Sequence, residues 1–170
     1  MKIILLTLLL NFTMLHSSVY QFTFNSIDGE AISLARFKGK KILIVNTASK
    51  CGYTPQYEEL EKLHQLYKNK LVIIGFPANN FLWQEPGNNQ QIKEFCTRKY
   101  GVSFILSEKI DVKGAKIHPL FKWLIEQDNP DFKDSIKWNF EKFLLDENGK
   151  LIHRYRSKVS PLSPLIVEQL

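Results

Sequence analysis

Two cysteines, Cys51 and Cys96, are the only thiols in the 170 residues. Cys51 lies where the apolar run Ile42-Leu43-Ile44-Val45 gives way to Thr54-Pro55. That pair suits the N-cap and first position of a helix. A sulfur just before a helix start meets the positive end of the helix dipole, a setting that favours the nucleophilic thiolate. Two separated thiols support two chemistries. One is a static disulfide, the usual fate of paired cysteines in an oxidising compartment. The other is a redox cycle, in which one sulfur attacks and the other closes a disulfide. A thiol-disulfide oxidoreductase is disfavoured, because no Cys-x-x-Cys pair is present. His16, His64, His118 and His153 show no metal-ligand spacing, and there is no Gly-rich phosphate loop, so no metal and no cofactor is expected.

The elements that must position these groups are read from periodicity. Tyr20 to Phe24 alternates as a half-buried strand does, and residues 41–47 read as a buried strand. Tyr57, Leu60, Leu63, Leu66 and Tyr67 fit one face of a helix over 55–69, with Glu58 and Glu59 in its first turn. Residues 71–76 form a second buried strand stopped by Pro77, followed by a polar loop from Asn79 to Asn89. Helices are expected over 90–100 and 118–127, a hairpin with an Asn148-Gly149 turn over 140–156, and a last helix from Pro164. An early β-α-β unit followed by an antiparallel hairpin predicts an α/β, thioredoxin-like fold: a mixed central sheet with helices on both faces. Sites in such sheets gather at the carboxyl ends of strands, where Cys51 and the segment after Pro77 would lie.

Residues 1–18 stand apart. Met1-Lys2, an apolar run from Ile3 to Leu10, and His16-Ser17-Ser18 predict a secretory signal peptide, leaving one domain over 19–170 and an exported, periplasmic or secreted, protein. The net charge of +6 is spread along the chain without a Lys/Arg run, which speaks against a nucleic-acid partner.

Three segments then resemble the glutathione peroxidase family. Asn46-Thr47-Ala48-Ser49-Lys50-Cys51-Gly52-Tyr53-Thr54 is similar to its active-site signature. Phe76-Pro77-Ala78-Asn79-Asn80-Phe81, running on to Gln84-Glu85-Pro86-Gly87, is similar to its second motif. Lys137-Trp138-Asn139-Phe140-Glu141-Lys142-Phe143-Leu144 is similar to its third. The resemblance spans the chain from about Tyr20 onward. It implies a thiol peroxidase that reduces hydrogen peroxide and organic or lipid hydroperoxides. It places the catalytic tetrad on Cys51, Gln84, Trp138 and Asn139. The amides and the indole N–H are suitable donors for an anionic sulfur or a departing oxygen, and the Gly52 N–H is a further candidate donor.

Cys96, in Ile92-Lys93-Glu94-Phe95-Cys96-Thr97-Arg98, stands where thioredoxin-dependent members place a resolving cysteine. The chain departs from the family at Ala78, where many members carry another cysteine, and at Asn80, where Gln is common. Its nucleophile is cysteine rather than selenocysteine. The resemblance therefore implies a thioredoxin-like dithiol as reductant, with glutathione as the alternative. The short stretch between His118 and Trp138 resembles that of the monomeric branch, which accepts lipid hydroperoxides. A different class also remains open, a secreted binding module stapled by Cys51 and Cys96.

Overall fold

The computed structural model describes residues 18–170. The expected signal peptide, apart from Ser18, lies outside the described residues. Ser18 caps a short 3-10 turn, Val19–Gln21, by accepting the Tyr20 N–H. Tyr20 therefore sits in that turn, and the strand expected over 20–24 is shifted to β1, Thr23–Asn25. Its partner is β2, Ala31–Ser33, and the two make a separate antiparallel hairpin.

The central sheet is built from β3 (Lys41–Thr47), β4 (Leu71–Pro77), β5 (Ile105–Leu106), β6 (Lys142–Leu145) and β7 (Leu151–Tyr155), in the order β5-β4-β3-β6-β7. β3, β4 and β5 run parallel, and β6 runs antiparallel to β3 with Ile42 opposite Leu145 and Val45 opposite Lys142. The two-residue β5 was too short to show a period in the sequence.

Helices cover both faces, which is why β3 and β4 read as nearly unbroken apolar runs. On one face Ile42, Ile44, Ile74, Phe76, Phe143 and Leu145 pack with Leu120, Phe121 and Leu124 of α3 (Pro119–Glu126). On the other, Leu43, Val45, Ile73 and Leu144 pack with Tyr57, Leu60 and Leu63 of α1 (Gln56–Tyr67) and with Ile92 and Cys96 of α2 (Asn89–Tyr100). Ile166 of α4 (Pro164–Val167) closes the same side.

α2 begins with a capping box. Asn88 accepts the Gln91 N–H at 2.9 Å, and the Gln91 side chain accepts the Asn88 N–H at 3.0 Å. It ends on Gly101 at φ 64, a left-handed C-cap that glycine adopts without steric cost. The hairpin loop is longer than a two-residue Asn-Gly turn. Gly149 (φ 78) donates to the Asp146 carbonyl, and the Asp146 N–H donates to the Lys150 carbonyl, so only the glycine takes the left-handed region.

Candidate active site

The carboxyl ends of β3 and β4 and the entry to β6 meet at one edge of the sheet, because β6 runs opposite to its neighbour β3. The segments after Thr47 and Pro77 and the segment before Lys142 are thereby brought together. All three motif segments of the sequence fall there.

Cys51 is nearly buried, 8% exposed, in a tight turn ahead of α1. Thr54 does not cap α1 as its place before Pro55 suggested; the helix N-cap is Pro55, with no side-chain cap. Thr54 instead clamps the cysteine turn. Its hydroxyl accepts the Cys51 N–H at 2.9 Å and donates to the Ala48 carbonyl at 2.8 Å, while its N–H donates to the Cys51 carbonyl at 3.0 Å. That use of the hydroxyl leaves none for the helix. The Cys51 Sγ accepts from the Tyr53 N–H at 3.4 Å, so the backbone donor observed at the sulfur is Tyr53 rather than Gly52.

Gln84 is joined to this turn through its carbonyl, which accepts the Lys50 N–H at 2.9 Å. Its side-chain oxygen accepts from Asn139 Nδ2, also at 2.9 Å. The bond to Asn139 commits the oxygen of the Gln84 amide and leaves the NH2 end as the outward donor. The residues just before it, Leu82 (φ 50) and Trp83 (φ 52), both lie in the left-handed region, which costs a non-glycine residue about 1 kcal/mol or more. Both side chains are exposed, at 68% and 78%.

Trp138 and Asn139 are held from β3 by Asn46, a fully buried residue. The Asn46 amide donates to the Trp138 carbonyl at 3.0 Å, and its oxygen accepts the Glu141 N–H at 3.0 Å. The Phe140 N–H donates to the Asn46 carbonyl at 2.6 Å. These bonds bracket a left-handed Phe140, φ 64, which turns the chain sharply between Asn139 and β6. The half-buried Trp138 ring packs on Phe81 at 5.7 Å and borders a basic cleft of about 480 Å³ with Tyr53, Lys137, Arg156 and Lys158. The Asn46 role was missed in the sequence, although a polar residue inside an apolar strand was the available signal.

Cys96 stands outside this bonded group. It is fully buried on the inner face of α2, in the same apolar core as Cys51, and both thiols are free. Burial pushes its thiol up to about 11; the facing Tyr57 hydroxyl offsets part of this and the Glu85 carboxylate adds to it. Glu85 is also fully buried, a placement unexpected for a loop glutamate. Its backbone N–H donates to Asn79 Oδ1 at 2.8 Å, which turns the side chain inward. Burial raises its carboxyl to about 7, against the lowering influence of Ser49, Lys109 and Lys50. Among the described residues, no group of three or more His, Cys, Asp and Glu side chains could hold a metal.

The sequence model of the glutathione peroxidase family matches residues 19–125. A glutathione peroxidase homolog of Halalkalibacterium halodurans is 48% identical over 146 residues, covering 85% of this chain and 93% of the relative. A glutathione peroxidase-like peroxiredoxin of Saccharomyces cerevisiae is 48% identical over 150 residues, 86% of this chain and 92% of the relative. A hydroperoxy fatty acid reductase of Synechocystis is 44% identical over 154 residues, 86% and 90% of the two chains. Among solved structures, that of Trgpx in apo form superposes with a TM-score of 0.70 at 36% identity, covering 89% of this chain and 95% of that one.

Proposed function

The chain belongs to the glutathione peroxidase family and is a thiol peroxidase, and on that premise we propose that Cys51 is the peroxidatic nucleophile served by Gln84, Trp138 and Asn139. The observation that carries this reading is the bonded chain from Lys50 through Gln84 to Asn139, which links the cysteine turn to two remote donors. The Cys51 thiolate attacks the peroxide, the O–O bond breaks, and the sulfur becomes a sulfenic acid. The Gln84 amide, the Asn139 amide and the Trp138 indole N–H stabilise the departing oxygen, which leaves as water or an alcohol after protonation.

Cys96 then condenses with the sulfenic acid, and a thioredoxin-like dithiol reopens the disulfide. A peroxiredoxin among the relatives and the single candidate resolving thiol support this order. Glutathione is the alternative reductant. Because Cys96 is buried in α2, closing the disulfide requires that helix to open locally. Cys96→Ser is expected to keep its first reduction of hydroperoxide and to lose roughly ten-fold or more of its thioredoxin-supported turnover. Parallel steady-state assays with thioredoxin and with glutathione check this. Undiminished thioredoxin turnover in Cys96→Ser removes the resolving role.

The substrates extend to lipid hydroperoxides. Leu82 and Trp83 support this, since they hold apolar side chains in water beside Gln84 at a cost in backbone strain. Lys50 and Lys113 flank the same turn, the latter with its Nζ 5.6 Å from the centre of the Phe81 ring. A relative named as a hydroperoxy fatty acid reductase points the same way. The double variant Leu82→Ser, Trp83→Ser is expected to lose about five-fold or more in kcat/KM for a fatty-acid hydroperoxide while hydrogen peroxide turnover stays within about two-fold. Equal effects on the two substrates refute it. We further propose that the protein is exported and acts as a monomer. The apolar run over residues 3–10, broken only by Thr7, and the small residues Ser17-Ser18 that follow it support export. The single helix and short loop between His118 and Trp138 support a monomer.

A further inference from the structure

Lys142 opens β6 opposite Val45 and Tyr155, and it is fully buried. Side chains alternate along the strand. Phe143 and Leu145 enter one core and Leu144 the other, so Lys142 shares the Leu144 face, on the side that α1 covers. A lysine is almost never fully buried unless it is paired. Burial lowers its ammonium to about 7, against the raising influence of the Glu59 and Glu141 carboxylates. A core shaped for stability alone takes an apolar side chain at such a place.

The Lys142 Nζ donates to the Phe140 carbonyl at 2.8 Å. That carbonyl and the Glu141 N–H belong to one peptide unit, and the Glu141 N–H donates to Asn46 Oδ1 at 3.0 Å. The unit that follows the left-handed Phe140 is therefore held at both ends, its carbonyl by Lys142 and its N–H by Asn46. A non-glycine residue at positive φ persists only where its surroundings over-determine it, and such residues gather at functional sites. Asn139 directly precedes this turn, and its Nδ2 donates to Gln84 Oε1 at 2.9 Å.

We propose that Lys142 is a positioning residue for peroxide reduction: by holding the Phe140 carbonyl it fixes the left-handed turn from which Asn139 orients the Gln84 amide. The proposal rests on the donor roles of Gln84 and Asn139 given above. Without the Lys142 ammonium the buried Phe140 carbonyl loses its donor, and the peptide unit is held at one end only. Relaxation of that unit shifts Asn139. The bond from Asn139 sets which end of the Gln84 amide faces outward, so the donor set at Cys51 loosens with it. The effect of Lys142 passes through Asn139.

The test is Lys142→Met, which keeps a stem of similar length and removes the donor. It is read as the second-order rate of sulfenic acid formation with hydrogen peroxide and, on the same preparation, as the urea midpoint. The rate should fall about ten-fold. The midpoint should stay or rise, because an apolar side chain replaces a buried cation. A merely structural role would lower the midpoint and spare the rate of the folded protein. Asn139→Ala should itself lose about ten-fold or more, and adding Lys142→Met to it should cost less than about two-fold further, because the residue through which Lys142 acts is gone. Lys142→Leu carries the same measurements if Lys142→Met does not fold. A parental rate in the folded Lys142 variant, or a full ten-fold loss on top of Asn139→Ala, overturns the positioning role. A parental rate in Asn139→Ala overturns the donor reading itself, and the positioning role with it.

Discussion

Cys51→Ser is expected to lower hydroperoxide turnover by about a thousand-fold or more, with little change in folding. A serine hydroxyl is far less nucleophilic than a thiolate, and it cannot form the sulfenic acid through which the cycle turns. The donors would remain, because Gln84, Asn139 and Asn46 are bonded to one another and to backbone, not to the sulfur. The turn would also remain, because Thr54 clamps the backbone N–H and carbonyl of Cys51. Activity and thermal melting measured on one preparation check both halves. Residual turnover near the parental value would falsify the assignment of the nucleophile. The rival reading of a static staple predicts something else, an equal loss of stability in Cys51→Ser and Cys96→Ser. Two free cysteines in the folded chain speak against a staple as a requirement for folding.

Glu141→Ala is expected to destabilise the protein by about 3–5 kcal/mol. Glu141 and Arg154 both have side chains with no solvent exposure, and they pair at 3.1 Å. Glu141 also accepts from Arg156 Nη1 at 2.8 Å and from the Lys137 N–H at 2.6 Å. Truncation would leave the Arg154 guanidinium buried between the Phe132 and Phe143 rings, 4.6 and 4.7 Å from their centres, with its carboxylate gone. The loss concerns the site as well as the core. The Lys137 N–H loses its carboxylate acceptor, and Lys137 leads directly into Trp138. Urea unfolding with an unchanged m-value measures the effect. A loss below about 1 kcal/mol would show that the pair is relaxed by water or neighbouring groups.

Most of the frame is legible in the sequence. Residues 42–45 and 71–74 are apolar without a break, as strands covered on both faces require, and the period of Tyr57, Leu60 and Leu63 marks the covering helix. The misread places are those where a local signal met a remote partner. Thr54 has the type and position of an N-cap, yet its hydroxyl is engaged by Cys51 and Ala48. Tyr20 alternates like a strand residue, but Ser18 winds it into a 3-10 turn and its hydroxyl donates to the Glu147 carbonyl, 127 positions away.

The sequence by itself determined that the chain holds two thiols, that one precedes a helix, and that three motifs accompany it in order. Residue type and short-range periodicity are enough for that. Only the tertiary structure decided how the Gln84 amide is turned, that Asn46 supports Trp138 and Asn139, and that Glu85 is fully buried. The reason is distance along the chain. The bond that orients Gln84 joins residues 55 positions apart, and the one from Asn46 to Glu141 spans 95. Such partners meet only after β3, β4 and β6 have paired in register, so their chemistry belongs to the fold rather than to any local run of residues.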